Sequence, residues 1–558
     1  MSAQTEPCLT DPECVQNWLA QLSWPDLESS AASLSIQLTR LAKIKLAASE
    51  RLELLERYHD PVLQLTTALE DRLLDCALPL ANSDQETAKQ LLELCRLMAD
   101  NYLQVVFAPE FLDGERLNPA RRQTALTRAL AWLARLARHS AEVYRPPQEN
   151  FWRVVYQIYC WLETHALLPL PNSEEISPLR NQLFRILLLG VCGLGRFRPR
   201  EIKQIDQFLE HLAEYAEIGP QPVRENYRAR FFFDISLPRP PRSVKLLRPV
   251  SPPPDSMRFL YTQKVTQKLL ASISSLSEQE TLPGSQAKKL ALRLAHLLGA
   301  PSQRKWRRRQ ERRDCLLIAG FSQLIASLIR EGQVDEELSR LLPAPTLFDP
   351  SAEFRADFKL LPLDAEAIQR EEERFEAEVW CQLLNEQATT SEDKIWGCSF
   401  TAEGSTIQFP GRFADACAGG YCLIWLDHTC PKLKVGEILG INHTQGEIEV
   451  GAIRWLRQET AEEIAVGVEL LSFTASLVVV GPWIKPTAPA YPRRRWGLLL
   501  PPQPVLNRPT CLLSPAGAWQ PGQWVEIQHS LANKQTYCLK QRIDATLAYD
   551  LFSLEKID

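Results

Sequence analysis

The sequence predicts a multidomain α+β protein, with an all-α helical N-terminal region followed by an antiparallel β-barrel and a C-terminal β extension. Three observations carry this. Through most of the first three hundred residues, apolar side chains recur every three to four positions, the period of a helix with one buried face. After about Trp396 the pattern becomes short apolar or alternating runs broken by glycine turns, as in a small barrel or sandwich. A chain of 558 residues is also too long for a single core.

The helical elements read directly. Leu126, Leu130, Leu133 and Ala137 form one apolar face, with Arg128, Arg135 and Arg138 elsewhere on the same helix. Leu91, Leu94, Met98 and Tyr102 form a second face, and Ile202, Ile205, Leu209 and Leu212 a third beginning just after Pro199. Ser83 and Ser173 stand where N-caps are expected. The run Leu183 to Val191 is too short to span a bilayer and reads as a buried helix.

Composition narrows the class. Hydrophobic content of 45% and charged content of 23% are those of a globular protein. A net charge of −5 is not that of a polycation built for nucleic acid. The 14 cysteines, among them Cys8, Cys95, Cys192 and Cys381, form no CxxC pair, which fits free thiols in a reducing compartment. The polar, acidic start shows no targeting pattern, so a cytoplasmic location without membrane insertion is expected.

These readings divide the chain into a helical domain over 1–237, a proline-rich linker over 238–256, and a helical segment over 257–300. A β-barrel follows over 301–481, interrupted by a helical insertion at about 330–390, and then a C-terminal β module over 482–558. The linker assignment rests on LPRPPRSVKLLRPVSPPP, where proline removes donors and blocks helix. Within the last module, Gly522 to Ile527 echoes Gly436 to Ile441, each a turn glycine leading into a strand.

Two stretches carry candidate chemistry. Lys305 to Arg313 holds two arginine pairs four apart, Arg308 with Arg312 and Arg309 with Arg313, just before the apolar run Cys315 to Gly320. About a hundred residues later stands Asp415-Ala416-Cys417-Ala418-Gly419-Gly420, then the strand Tyr421 to Leu426. Val435-Gly436-Glu437, Ile453 to Leu456 and Val466 to Leu471 follow in order.

Over about Phe409 to Leu471 this series resembles the PilZ domain, a barrel known as a receptor for the bacterial second messenger cyclic di-GMP. The family pairs two arginines four apart, in a loop before the first strand, with Asp/Asn-x-Ser-x-x-Gly at the end of the second. The resemblance implies that Arg308, Arg309, Arg312 and Arg313 hold phosphate and stack on guanine. It implies that Asp415 accepts hydrogen bonds from a guanine edge, and that Gly420 lets backbone approach the ligand. Cys417 stands where the family has serine, and a thiol is the poorer hydrogen-bond partner, so affinity is expected to suffer there. The function implied is a cyclic di-GMP receptor coupling the ligand to a protein partner through the helical region. The alternative is a degenerate PilZ scaffold that binds no nucleotide.

Plainer readings exist beside these. Lys305 to Arg313 also fits a solvated face, or a nucleic-acid contact using Trp306. Arg370 and Arg374 lie among Glu371, Glu372, Glu373 and Glu376 and are explained by helical ion pairing. Cys417, Cys422, His428 and Cys430 lack zinc spacing, so no metal is expected. No P-loop, HExxH, GxSxG or GxGxxG is present, so neither a cofactor nor enzymatic turnover is expected.

Overall fold

The computed structural model describes residues 10–22, 25–109, 119–148, 150–165, 177–224, 227–247, 254–276, 282–299, 308–330, 408–427, 433–443, 448–458, 463–483, 494–530 and 533–556. The acidic insertion with Arg370 and Arg374, and Ser173, Trp306, His428 and Cys430, lie outside them. The described residues form two compact units, one helical with a small sheet, the other built on two barrels.

In the first unit, helices run as α1 (Pro12–Ala20), α2 (Leu27–Lys43), α3 (Ala48–Leu73), α4 (Asn82–Val106), α5 (Pro119–Glu142), α6 (Phe151–Thr164), α7 (Pro178–Val191) and α8 (Pro199–Leu212). Asp11, Asp26 and Ser177 cap α1, α2 and α7 by accepting from backbone N–H groups of the first turn. Ser83 falls inside α4, whose N-cap is Ala81. The anticipated faces are interior: Leu91, Leu94, Met98 and Tyr102 on α4, Leu126, Leu130 and Leu133 on α5. Helix α4 packs on α2, α3 and α5, and α5 packs on α7 and α8.

One departure lies on α5. Arg138 is buried, bonded to Glu70 at 2.9 Å and 3.4 Å from Asp206. Asp206 also takes two nitrogens of Arg185, and His139 Nδ1 lies 2.7 Å from Glu142. A second departure follows α8. The stretch read as helix and linker contains β1 (Glu217–Gly219), β2 (Val223–Arg224), β3 (Tyr227–Arg228), β4 (Phe231–Asp234), β5 (Arg242–Ser243) and β6 (Met257–Tyr261). Four of these form a sheet in the order β1-β6-β4-β5. Phe231-Phe232-Phe233 favours a pleated, half-buried surface, with Phe231 and Phe233 buried and Phe232 between them more open. The proline-flanked β5 occupies an edge, where lost donors cost least. Helices α9 (Gln263–Leu276) and α10 (Leu282–Gly299) complete the unit.

The second unit begins with β7 (Arg309–Gln310), β8 (Asp314–Ala319) and α11 (Phe321–Arg330). It continues with β9 (Phe409–Cys417), β10 (Gly420–Trp425), β11 (Ile438–Asn442), β12 (Ile448–Gln458) and β13 (Ile464–Ser472). The strands run β10-β13-β12-β11-β8-β9, and a β9–β10 pairing closes the ring. Strand β8 thus pairs with β9 and β11 across the long intervening segment, while Phe321 onward is helix rather than strand.

The C-terminal extension is a second closed barrel. It comprises β14 (Ser476–Pro482), β15 (Arg495–Leu500), β16 (Cys511–Pro515), β17 (Trp524–Gln528), β18 (Lys534–Ala545) and β19 (Tyr549–Lys556), in the order β14-β15-β16-β19-β18-β17. Ser476–Pro482, read from sequence as the end of the first barrel, pairs with β15 and β17 and so belongs to the second. One apolar cluster joins Ile438, Val450 and Leu471 of the first barrel, Leu324, Ile325 and Leu328 of α11, and Val479, Leu498 and Tyr549 of the second. Removing these surfaces from water, at about 25 cal/mol per Å², holds the barrels as one body. Among the described residues no helix is long and apolar enough to cross a membrane.

Candidate functional site

The site forms where one edge of β9 changes partner. Strand β8 pairs with Phe409 to Arg412, and β7 pairs with Asp415 and Ala416 further along. Between β7 and β8 the chain breaks at Glu311-Arg312-Arg313, and opposite that break β9 carries an extra residue. Asp415 pairs with Cys422 and Phe413 with Leu423, so Ala414 is a β-bulge. The break stays tied to β9 by Phe413 N–H donating to the Arg313 carbonyl at 2.9 Å and Glu311 N–H to that of Ala414 at 3.4 Å.

This geometry gathers most of the expected residues. Arg308 Nη1 donates to both carboxylate oxygens of Asp415, at 2.8 and 2.9 Å. Burial, the largest single influence, opposes the charged form of Arg308, but the hydrogen bond and charge of Asp415 together with the neighbouring thiols outweigh it, and the guanidinium pKa rises. One nitrogen serves both oxygens, a weaker arrangement than a two-nitrogen fork. Both side chains are about a quarter exposed, at 29% and 26%, so the pair is worth about 1 kcal/mol or less. Arg309 lies on β7 opposite Ala416 and is exposed. Arg313 lies over the Phe413 ring, 4.7 Å from its centroid, and is 3.1 Å from Glu311. Beneath it Phe413 packs edge-on against Tyr421 and stacks on His443 at 5.6 Å.

A concavity of about 600 Å³ opens here, lined by Gln310, Arg312, Arg313, Asp314, Arg412, Phe413, Ala414 and Ile424. That is within the range of small-molecule sites. Arg312 and Arg313 line it, whereas Arg308 and Asp415 sit beside it. Arg412 had drawn no attention in the sequence; its Nε donates to Asp314 at 3.0 Å.

Cys417 and Gly420 bound the β9–β10 turn. The Cys417 thiol donates to the Gly420 carbonyl at 3.3 Å. Gly420 has φ +147°, and a Cβ there would lie 2.1 Å from the Val468 carbonyl oxygen. The glycine therefore answers the close approach of β13, a different need from the ligand approach expected of it.

Elsewhere, Glu70, His139 and Glu142 bring ligand-type atoms within 4.8 Å of one another. Arg138 lies among them, bonded to Glu70 and facing His139 at 3.2 Å, so a guanidinium already answers these carboxylates.

A helical domain, a barrel whose arginine segment closes on the hairpin at Asp415, and a second barrel define a multidomain protein built on a PilZ-type barrel. Comparison with protein families gives three matches in order along the chain. Residues 13–222 match the family described as "Cyclic-di-GMP receptor FimW, N-terminal domain". Residues 231–476 match its middle PilZ domain, and residues 494–557 its C-terminal β-barrel domain. The middle of the chain therefore carries a PilZ domain. It is 22% identical over 554 residues to a curated protein, the cyclic-di-GMP receptor FimW of Pseudomonas aeruginosa, covering 93% of this chain and 86% of that one. No solved structure matches.

Proposed function

We propose that the protein is a cytoplasmic cyclic di-GMP receptor that couples nucleotide binding at the PilZ barrel to a protein partner through the helical region. The observation that carries this reading is the contact of Arg308 with Asp415, 107 positions apart in sequence. The two halves of a bipartite ligand motif must meet in this way to act together. The neighbouring concavity adds two arginines, Arg312 and Arg313, beside an aromatic floor. Cyclic di-GMP is an anion with two flat bases, and guanidinium groups suit both its phosphates and its ring faces.

In this mechanism Arg312 and Arg313 take phosphate oxygens, and Asp415 exchanges Arg308 for the donor edge of a guanine. Arg308 is then available to stack or to pair with phosphate. The existing ion pair is weak, so its loss is readily offset by charge-assisted contacts to the ligand. Ligand binding stabilises one arrangement of the arginine segment against β9, and that population shift is what a partner would read. The protein binds and does not turn the nucleotide over.

Calorimetry of the full chain with cyclic di-GMP tests the reading. Saturable binding that weakens in Arg313→Ala and Asp415→Ala supports it. No saturable heat at high micromolar nucleotide leaves the degenerate scaffold instead, a state that the Cys417 thiol, turned onto its own hairpin, would suit.

A further inference from the structure

Residues three apart on a regular strand point to opposite faces. The bulge at Ala414 changes this for Arg412 and Asp415. Their partners on β10 are Ile424 and Cys422, two residues apart and therefore on one face. Leu423 and Trp425, the alternate residues of β10, are wholly buried, while Cys422 is less so, Ile424 is more open and Arg412 is half exposed, so the Arg412 and Asp415 face is the outer one. The bulge thus re-aims β9 so that Arg412 stands beside the signature acid.

Arg412 also lines the same concavity as Arg312 and Arg313, although it comes from a different strand and another part of the sequence. Its partner there is Asp314, its register neighbour on β8. The two side chains are 51% and 79% exposed, and ion pairs so open to water are held weakly.

We propose that Arg412 is a third arginine of the ligand site, taking a phosphate of the bound cyclic dinucleotide, with Asp314 standing in for that phosphate in the unliganded protein. The proposal rests on the receptor reading above. A cyclic dinucleotide carries two phosphodiesters on opposite sides of its ring. One short arginine segment reaches one of them, and the other needs a cation from elsewhere. Arg412 supplies it from β9, with a planar fork suited to phosphate oxygens. Asp314 competes for that fork, so its charge limits affinity.

The test is calorimetric titration of the full-length chain with cyclic di-GMP over a range of salt concentrations. Arg412→Ala should weaken binding tenfold or more and flatten its salt dependence, with the unfolding midpoint unchanged because the side chain is half exposed. Arg412→Lys should recover part of the affinity, and Asp314→Asn should tighten binding severalfold. Arg412→Ala binding as wild type, while Arg313→Ala is impaired, overturns this inference and leaves the receptor reading intact. Wild-type protein without saturable binding overturns both.

Discussion

Arg508 of the second barrel holds Leu470 of the first by its backbone: Nη1 donates to the Leu470 carbonyl at 2.8 Å and to that of Leu471 at 3.1 Å. The N–H of the same Leu470 donates to the carbonyl of Gly419, in the turn of the Asp415 hairpin, at 3.1 Å. One peptide unit on either side of Leu470 therefore links the candidate site to the C-terminal barrel. Arg508 also pairs with Glu469, which takes Arg454 Nε at 2.7 Å. Arg454 in turn reaches Asp544, and Asp544 accepts from the Tyr549 hydroxyl at 2.6 Å. Arg508→Ala leaves two carbonyls and a carboxylate without this donor. It should cost about 1–3 kcal/mol in denaturant unfolding, with lost hydrogen-exchange protection at Leu470. Arg508→Lys, a point charge in place of a planar fork, should restore only part.

Gly420→Ala tests how tightly the site turn is built. A methyl group would be driven into the Val468 carbonyl, which is backbone and cannot swing away. The residue would also have to hold φ +147°. Strand β10 would have to part from β13, at a cost of about 3 kcal/mol or more. Thermal unfolding should report the loss without any ligand, and nucleotide binding should fall with it. A variant as stable as wild type would mean that the turn tolerates a side chain.

Much of the architecture was legible because its signals are local. The apolar faces of α4 and α5 follow from spacing alone, and Gly436 and Gly522 share a turn geometry, φ 86° and 85°, that their common sequence context announced. The arginine segment and Asp415 stood out in the sequence about a hundred residues apart, and the structure brings Arg308 and Asp415 into contact. What escaped notice depends on tertiary context. Arg138 lies off the apolar stripe of α5, and only the acids on α3 and α8 make it an interior residue. The strands β4 to β6 surround prolines that read as linker, since an edge strand tolerates them. Arg412 shares a face with Asp415 only because of a bulge, and a bulge leaves no mark on alternation that a sequence reader can separate from a turn.

The buried cluster on α5 sets a pH dependence. Burial, the largest influence, pushes the Glu142 carboxyl up to about 7 despite Arg138. Burial, reinforced by Arg138, holds His139 well below its usual value. The two act in opposite directions. Glu142, with a raised folded-state pKa, contributes stability that is complete below about 4.5 and lost as pH rises through about 7. His139, depressed, contributes stability that is present above about 6.5 and lost on acidification. Glu142→Gln removes only the first. The stability of wild type relative to this variant should therefore fall between pH 4.5 and 7, by up to about 1.4 kcal/mol per pH unit. Urea unfolding of both proteins across that range checks it, and parallel pH profiles would show that the proton resides elsewhere.

At the proposed ligand site, the contributions of Arg313, Asp415 and Cys417 should separate by their chemistry. Arg313 is exposed and stacks on Phe413, so Arg313→Ala removes a charge-assisted donor with little damage to the core. Affinity for cyclic di-GMP should drop by about tenfold to a hundredfold, or roughly 1.5–3 kcal/mol, with a shallower salt dependence. Asp415→Ala should cost a similar amount with an unchanged salt slope, because in the proposed binding mode its carboxylate meets the guanine edge and not the phosphate. Cys417→Ser puts a stronger donor and acceptor at the mouth of the same hairpin. The present thiol reaches the Gly420 carbonyl across 3.3 Å, a long and weak contact for a hydroxyl, which would turn more readily to a ligand. Binding should therefore tighten in Cys417→Ser. Equal affinity in the two proteins would place position 417 outside the contacts that hold the nucleotide, and calorimetry on the full chain distinguishes the two outcomes.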